Sequence, residues 1–189
     1  MIRSVLFYCL SFLFTILLYA QENSISSRNG QVLPVKGTMR ILLIFVEIEY
    51  PGGVDKFASE TNDYWKPGSY PVWANELFDI YPSSDPKGTV TRYYYESSFG
   101  QYNIVADILL NPDDHSKPFQ CKSNGEVNVA SILTDAWNKG FKTKSSLPAD
   151  SFDLWVKTGS GEEKKMRTPE TPLSFDHVMV IARNCTYPG

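Results

Sequence analysis

The sequence predicts an α/β (α+β) domain, a twisted mixed sheet with backing helices, and three observations predict it. Arg40 to Val46 carries Ile41, Leu42, Leu43, Ile44, Phe45 and Val46 without interruption, which marks a strand covered on both faces. Tyr102, Ile104, Ala106 and Ile108 alternate with Asn103, Val105, Asp107 and Leu109, a strand with one face more apolar than the other. Segments of helical period lie between and after these strands, an order that suits layered α/β packing better than a sandwich or a bundle.

The chain opens with an address. Arg3 is followed by an apolar run from Val5 to Leu18, and Leu18-Tyr19-Ala20 offers a small residue before Gln21. That is the pattern of a signal peptide spanning 1–20, and the run is shorter than the roughly 18–20 residues needed to cross a bilayer. Residues 21–37 form a polar leader with Ser26, Ser27, Asn29, Gly30 and Pro34, and a single domain occupies 38–189.

Within that domain the first strand ends at Pro51-Gly52-Gly53. Trp73, Leu77, Ile80 and Tyr81 recur at helical spacing, so Pro71 to Tyr81 is expected as an amphipathic helix with proline at its start. Thr89 is the expected N-cap of a second helix carrying Val90, Tyr93 and Tyr94, with Gly100 as its C-cap glycine. The strand from Tyr102 closes on the turn Asn111-Pro112-Asp113-Asp114. Ser123 and Glu126 have capping-box spacing ahead of Val129, Ile132, Leu133 and Ala136, which predicts a helix over roughly 124–139. Residues 142–174 are a polar excursion with a short element at Phe152 to Val156 and hairpin character, and Phe175 to Ala182 is the last strand.

Signal removal leaves 169 residues (189 less 20) with 17 basic and 21 acidic side chains, a net charge of −4. The length suits one domain with a real core. The balance argues against nucleic acid as a partner, and no membrane association is expected after cleavage. Cys121 and Cys185 then remain, and the oxidising destination permits either a disulfide or two separate thiols.

Candidate chemistry is sparse. His115 and His177 are the only histidines and stand 62 positions apart. A zinc peptidase helix needs His-Glu-x-x-His, because a spacing of four sets both imidazoles on one face beside the glutamate, and these 189 residues contain no such motif. His115 reads as part of a solvated turn and His177 as a core or edge histidine. Ser97 and Ser98 lack the glycines of a nucleophile elbow and read as capping or packing residues. Glu47 and Glu49 share a face if the first strand reaches Tyr50, which permits a glycosidase-like carboxylate pair, with Tyr64, Trp65 and Tyr70 as sugar-stacking rings. The plainer expectation is a solvated strand end with core aromatics.

Four segments, in order, resemble the immune-inhibitor-A type of secreted bacterial zinc metallopeptidases. They are Arg40-Ile-Leu-Leu-Ile-Phe-Val46, Thr91-Arg-Tyr-Tyr-Tyr-Glu-Ser-Ser-Phe-Gly-Gln-Tyr-Asn-Ile104, Asp150-Ser-Phe-Asp153 and Phe175-Asp-His-Val-Met-Val-Ile181. The second is the most specific. The resemblance implies a zincin-like upper subdomain, with the tyrosine helix as a wall for a zinc helix that follows these segments. It implies zinc for the complete family domain and a protein or peptide substrate. It places no catalytic, metal or substrate-binding residue in this chain, whose own cofactor expectation is none. The function expected is thus the amino-terminal portion of a secreted metallopeptidase, extracellular or periplasmic and inactive alone. The alternative is a noncatalytic secreted binding module on the same scaffold.

Overall fold

The computed structural model describes residues 37–55, 64–122, 127–152, 155–157, 163–165, 175 and 177–185. The expected signal peptide, all of the leader but Gly37, and the Ser123–Glu126 capping box lie outside the described residues.

An α/β architecture is observed. The long strand β1 (Gly37–Glu49) is the axis of the sheet. Its first half pairs in parallel with β2 (Tyr102–Ile108), from Gly37 opposite Tyr102 to Leu43 opposite Ile108. Farther along the same edge its last residues pair in parallel with β3 (Phe119–Lys122), and its other edge pairs in parallel with β6 (Val178–Arg183). The mixed character expected of the sheet is confined, among the described residues, to an antiparallel bridge between Leu109 and Thr143. A separate antiparallel ribbon of β4 (Trp155–Lys157) and β5 (Glu163–Lys165) lies in the excursion where hairpin character was expected.

Helices cover both faces of β1, which is why its apolar run is unbroken. On one face Met39, Ile41, Leu43 and Phe45 pack with Trp65, Phe78 and the inward residues of β2, beneath α1 (Thr89–Ser97). On the other, Leu42, Ile44, Val46 and Ile48 meet Phe119, Phe152 and the Ile132, Leu133 and Ala136 stripe of α2 (Val129–Asn138). The β1-to-β2 and β3-to-β6 connections thus run on opposite faces in opposite directions across the sheet, so both share one hand, as parallel crossovers do. The α2 helix starts later than expected, with Asn128 as N-cap accepting from the Ser131 amide at 3.0 Å.

Residues 71–81 are not the expected helix but a string of turns. Ala74 N donates to Pro71 O and Glu76 N to Trp73 O, both one residue short of helical bonding. The reason lies in what the carbonyls do next. Glu76 O accepts from Thr89 N and Leu77 O from Val90 N, satisfying orphan amides at the start of α1, while Asp79 O accepts from Ala106 N of β2. A carbonyl engaged in this way is taken from the ladder of its own helix. The apolar spacing survives as packing, since Ala74 and Phe78 are buried.

Gly88, not Thr89, is the N-cap of α1. Its φ is an ordinary −61°, so backbone freedom is not its purpose. A Cβ there would stand 2.6 Å from Phe78 C and Asp79 N, and that proximity lets the Asp79 carboxylate accept from both Lys87 N and Gly88 N. Gly88→Ala is expected to cost about 1–3 kcal/mol by overpacking against rigid backbone. A urea unfolding midpoint equal to that of the parent would contradict this account of the helix start. At the other end Ser98 is the C-cap, and the left-handed position expected of Gly100 falls first to Phe99 (φ 54°), with Gly100 (φ 76°) following.

Candidate functional site

Parallel strands leave their carboxyl ends on one rim of a sheet, and ligands of open α/β sheets bind where neighbouring strands send their connections to opposite faces. Here that place lies between the ends of β1 and β3. A cleft of about 570 Å³ opens there, lined by residues that include Glu47, Glu49, Tyr50, Asp55, Gly68, Gln120, Arg183 and Asn184.

The register builds its floor. Glu47 of β1 lies opposite Gln120 of β3 on one side and Arg183 of β6 on the other, so three polar side chains stand abreast across the sheet. Arg183 Nη1 donates to Glu47 Oε1 at 3.0 Å, Gln120 Nε2 to Glu47 Oε2 at 3.0 Å, and Gly68 N to the same oxygen at 2.7 Å. Arg183 also donates through Nε to Trp65 O at 2.8 Å and through Nη2 to Asp55. One guanidinium, only 3% exposed, thereby ties the strand end, the loop after β1 and the Trp65 turn together. Asn184, held at φ 60°, donates to Ile48 O and Val54 O and closes the same loop onto the sheet.

The floor is built for anchoring. Glu47 is committed to three donors, the geometry of a fixed carboxylate, whereas Glu49 is exposed at the rim. The two do share a face, since β1 reaches Glu49, but a solvated strand end describes Glu49 alone; Glu47 is 7% exposed. An acid–base pair needs both carboxylates free to exchange protons with substrate. Trp65 is buried edge-to-face against Phe45 and Trp73, with its Nε1 donating to Ser69 O at 2.7 Å. Tyr70 packs edge-on against Phe45, and burial pushes its phenol up to about 12. Tyr64 alone of the three candidate stacking rings is well exposed.

The other candidates are dispersed. His115 is exposed in its turn, and both nearby acids have other partners. Asp113 is bonded to Lys139 at 2.8 Å, and Ser116 and Lys117 hold the Asp114 carboxyl down to about 2. His177 precedes β6, where its carbonyl accepts from Leu42 N at 3.0 Å. Ser97 donates to Tyr93 O; Ser98 donates to Tyr95 O at 3.1 Å and accepts from Tyr102 N at 2.9 Å, which secures the reversal from α1 into β2. Cys121 and Cys185 are both free thiols, and burial raises the former. Cys121 lies on β3 and Cys185 just beyond β6, on opposite edges of β1. Two strand spacings are about 9–10 Å, beyond disulfide reach. Among the described residues no three His, Cys, Asp or Glu side chains converge on a metal-sized site, and no helix is long and apolar enough to cross a membrane.

Sequence reasoning missed Arg183, Asp55, Gln120 and Asn184. Only the strand order makes Arg183 and Gln120 neighbours of Glu47 across 136 and 73 positions. Comparison with known proteins finds no matching family model and no significant match to a curated protein or a solved structure. Fold and site therefore define a class only: an α/β domain with an open, largely parallel sheet and a polar cleft at its strand ends.

Proposed function

We propose that the chain is the amino-terminal, scaffold-forming portion of a secreted zinc-dependent metallopeptidase and that it carries none of the catalytic groups itself. The observation that carries this is the ordered set of four family-like segments, together with the roles the second of them takes. Thr91, the Ser98 turn and Tyr102 weld helix to strand, and the segment supplies no side chain to the cleft. Export fits the address at residues 1–20, and the substrate of the complete domain is protein or peptide. Zinc belongs to the complete domain, where a His-Glu-x-x-His helix would supply its ligands and the general base. Reading the codons that follow Gly189 tests the proposal: a His-Glu-x-x-His, in frame or shifted, is expected within roughly 100 residues. A continuation lacking it in every frame contradicts the proposal.

The cleft favours one second reading, a noncatalytic secreted binding module. Its position at the strand ends is where α/β folds hold ligands, and its floor is rigidly bonded.

A further inference from the structure

A separate cavity, of about 420 Å³, opens on the outer edge of β2, the edge turned away from β1. Two segments cover that edge and part between Ala106 and Ile108. Ala106 N donates to Asp79 O at 3.0 Å on one side of the gap, and Lys144 N donates to Ile108 O at 2.9 Å on the other. Leu43 and Phe78 give the cavity apolar lining, and Asp79, Asp107 and Lys144 stand among its polar residues. That size and that mixture are those of a small-molecule site.

The polar groups that meet there are acceptors without enough donors. In a strand the N–H and C=O of one residue point to the same side, so Ala106 O, like Ala106 N, is turned away from β1. Ala106 is only 2% exposed, and no donor among the described residues meets this oxygen, although buried carbonyls are nearly always paired. Asp107 is as deeply buried, and its carboxylate bends to the same edge. There it accepts from Ile108 N at 2.9 Å, Ser145 N at 3.0 Å and Ser145 Oγ at 3.1 Å. All three donors are neutral, and a buried carboxylate with no cation bonded to it is costly. Arg40 feels its charge, but that guanidinium donates to Ile80 O and lies 5.6 Å over the Tyr81 ring. The Asp79 carboxylate accepts from backbone amides, Lys87 N and Gly88 N. Lys144, the cation among the described lining residues, donates to Asn75 Oδ1.

We propose that this cavity binds a primary ammonium group carried on a short apolar stem. The ammonium supplies a positive charge for Asp107 and Asp79 and several N–H donors, one of them for Ala106 O. The stem lies on Leu43 and Phe78. A carboxylate ligand is repelled by the two acids, and a quaternary ammonium brings charge without donors. The site is separate from the cleft at the strand ends and does not depend on the peptidase proposal.

Titration of the full chain with n-butylammonium, followed through the amide signals of Ala106 and Ser145 by NMR, tests it. Saturable binding with a Kd on the order of 1 mM is expected, whereas butyrate and tetramethylammonium are expected to leave those signals in place. Asp107→Asn is expected to weaken binding by about tenfold or more. Lys144→Gln, an exposed change that removes the competing cation, is expected to tighten it by about threefold. Nα-acetyl-lysine amide separates two sources of the same chemistry. Binding at least as tight as that of n-butylammonium assigns the group to a peptide lysine, weaker binding assigns it to a free amine, and both uphold the site. Absence of saturable shifts, an equal response to butyrate or tetramethylammonium, or binding unchanged in Asp107→Asn overturns the proposal. So does binding weakened by Lys144→Gln, which together with the tetramethylammonium comparison decides the matter if Asp107→Asn does not fold.

Discussion

Arg183→Met is expected to destabilise the domain by about 3–5 kcal/mol, the cost of taking the cation from the buried Glu47 carboxylate. Glu47 and Asp55 side chains are 9% and 18% exposed, and the Arg183 guanidinium bonds both. Arg183→Lys is expected to recover little, because a single ammonium cannot reach Glu47, Asp55 and Trp65 O in their three directions. Replacing the group as a whole, Arg183→Met with Glu47→Leu and Asp55→Asn, is expected to restore part of the loss, since it removes the charge penalty but leaves Gly68 N and Trp65 O without these partners. Urea unfolding midpoints of the three variants measure these terms. Equal stability of Arg183→Met and the parent would show that the network is solvated and does not hold the strand ends together.

Thr91→Val is expected to cost about 2–6 kcal/mol, from about 1–3 kcal/mol for each of two backbone groups deprived of a partner. The Thr91 hydroxyl is wholly buried; it donates to Ile104 O at 2.6 Å and accepts from Asp79 N at 3.0 Å. One side chain thereby joins α1, β2 and the turns after Trp73. Valine keeps the shape and deletes only the hydroxyl, which isolates the hydrogen bonds from packing. Thr91→Ser keeps the hydroxyl and loses a methyl, so about 1 kcal/mol is expected. Serine and valine variants of equal stability would contradict the assignment of this join to hydrogen bonding.

The legible and illegible parts of the sequence differ in the range of the contacts that decide them. The β1 run, the alternation of β2 and the apolar stripe of α2 report burial of their own residues, so periodicity alone locates them. The turns of residues 71–81 have helical spacing too, but Glu76, Leu77 and Asp79 give their carbonyls to α1 and β2, a tertiary choice that local period does not register. The β3 strand, Phe-Gln-Cys-Lys, is four residues long and half polar, too short to carry a pattern. Arg183 follows the expected last strand, and nothing local pairs it with Glu47 until β6 is set beside β1. The tyrosines of α1 illustrate the converse. Their composition flags the element, yet its buried anchor is Thr91, and Tyr93 and Tyr94 face outward.

The central claim is that this chain supplies scaffold and leaves the catalytic metal to other residues. Metal analysis of the purified chain, saturated with zinc and desalted, tests it most directly when paired with a casein digestion assay. The account predicts no stoichiometric zinc and uncut casein. Stoichiometric zinc retained by the chain, with casein cleavage abolished by a chelator, would contradict it.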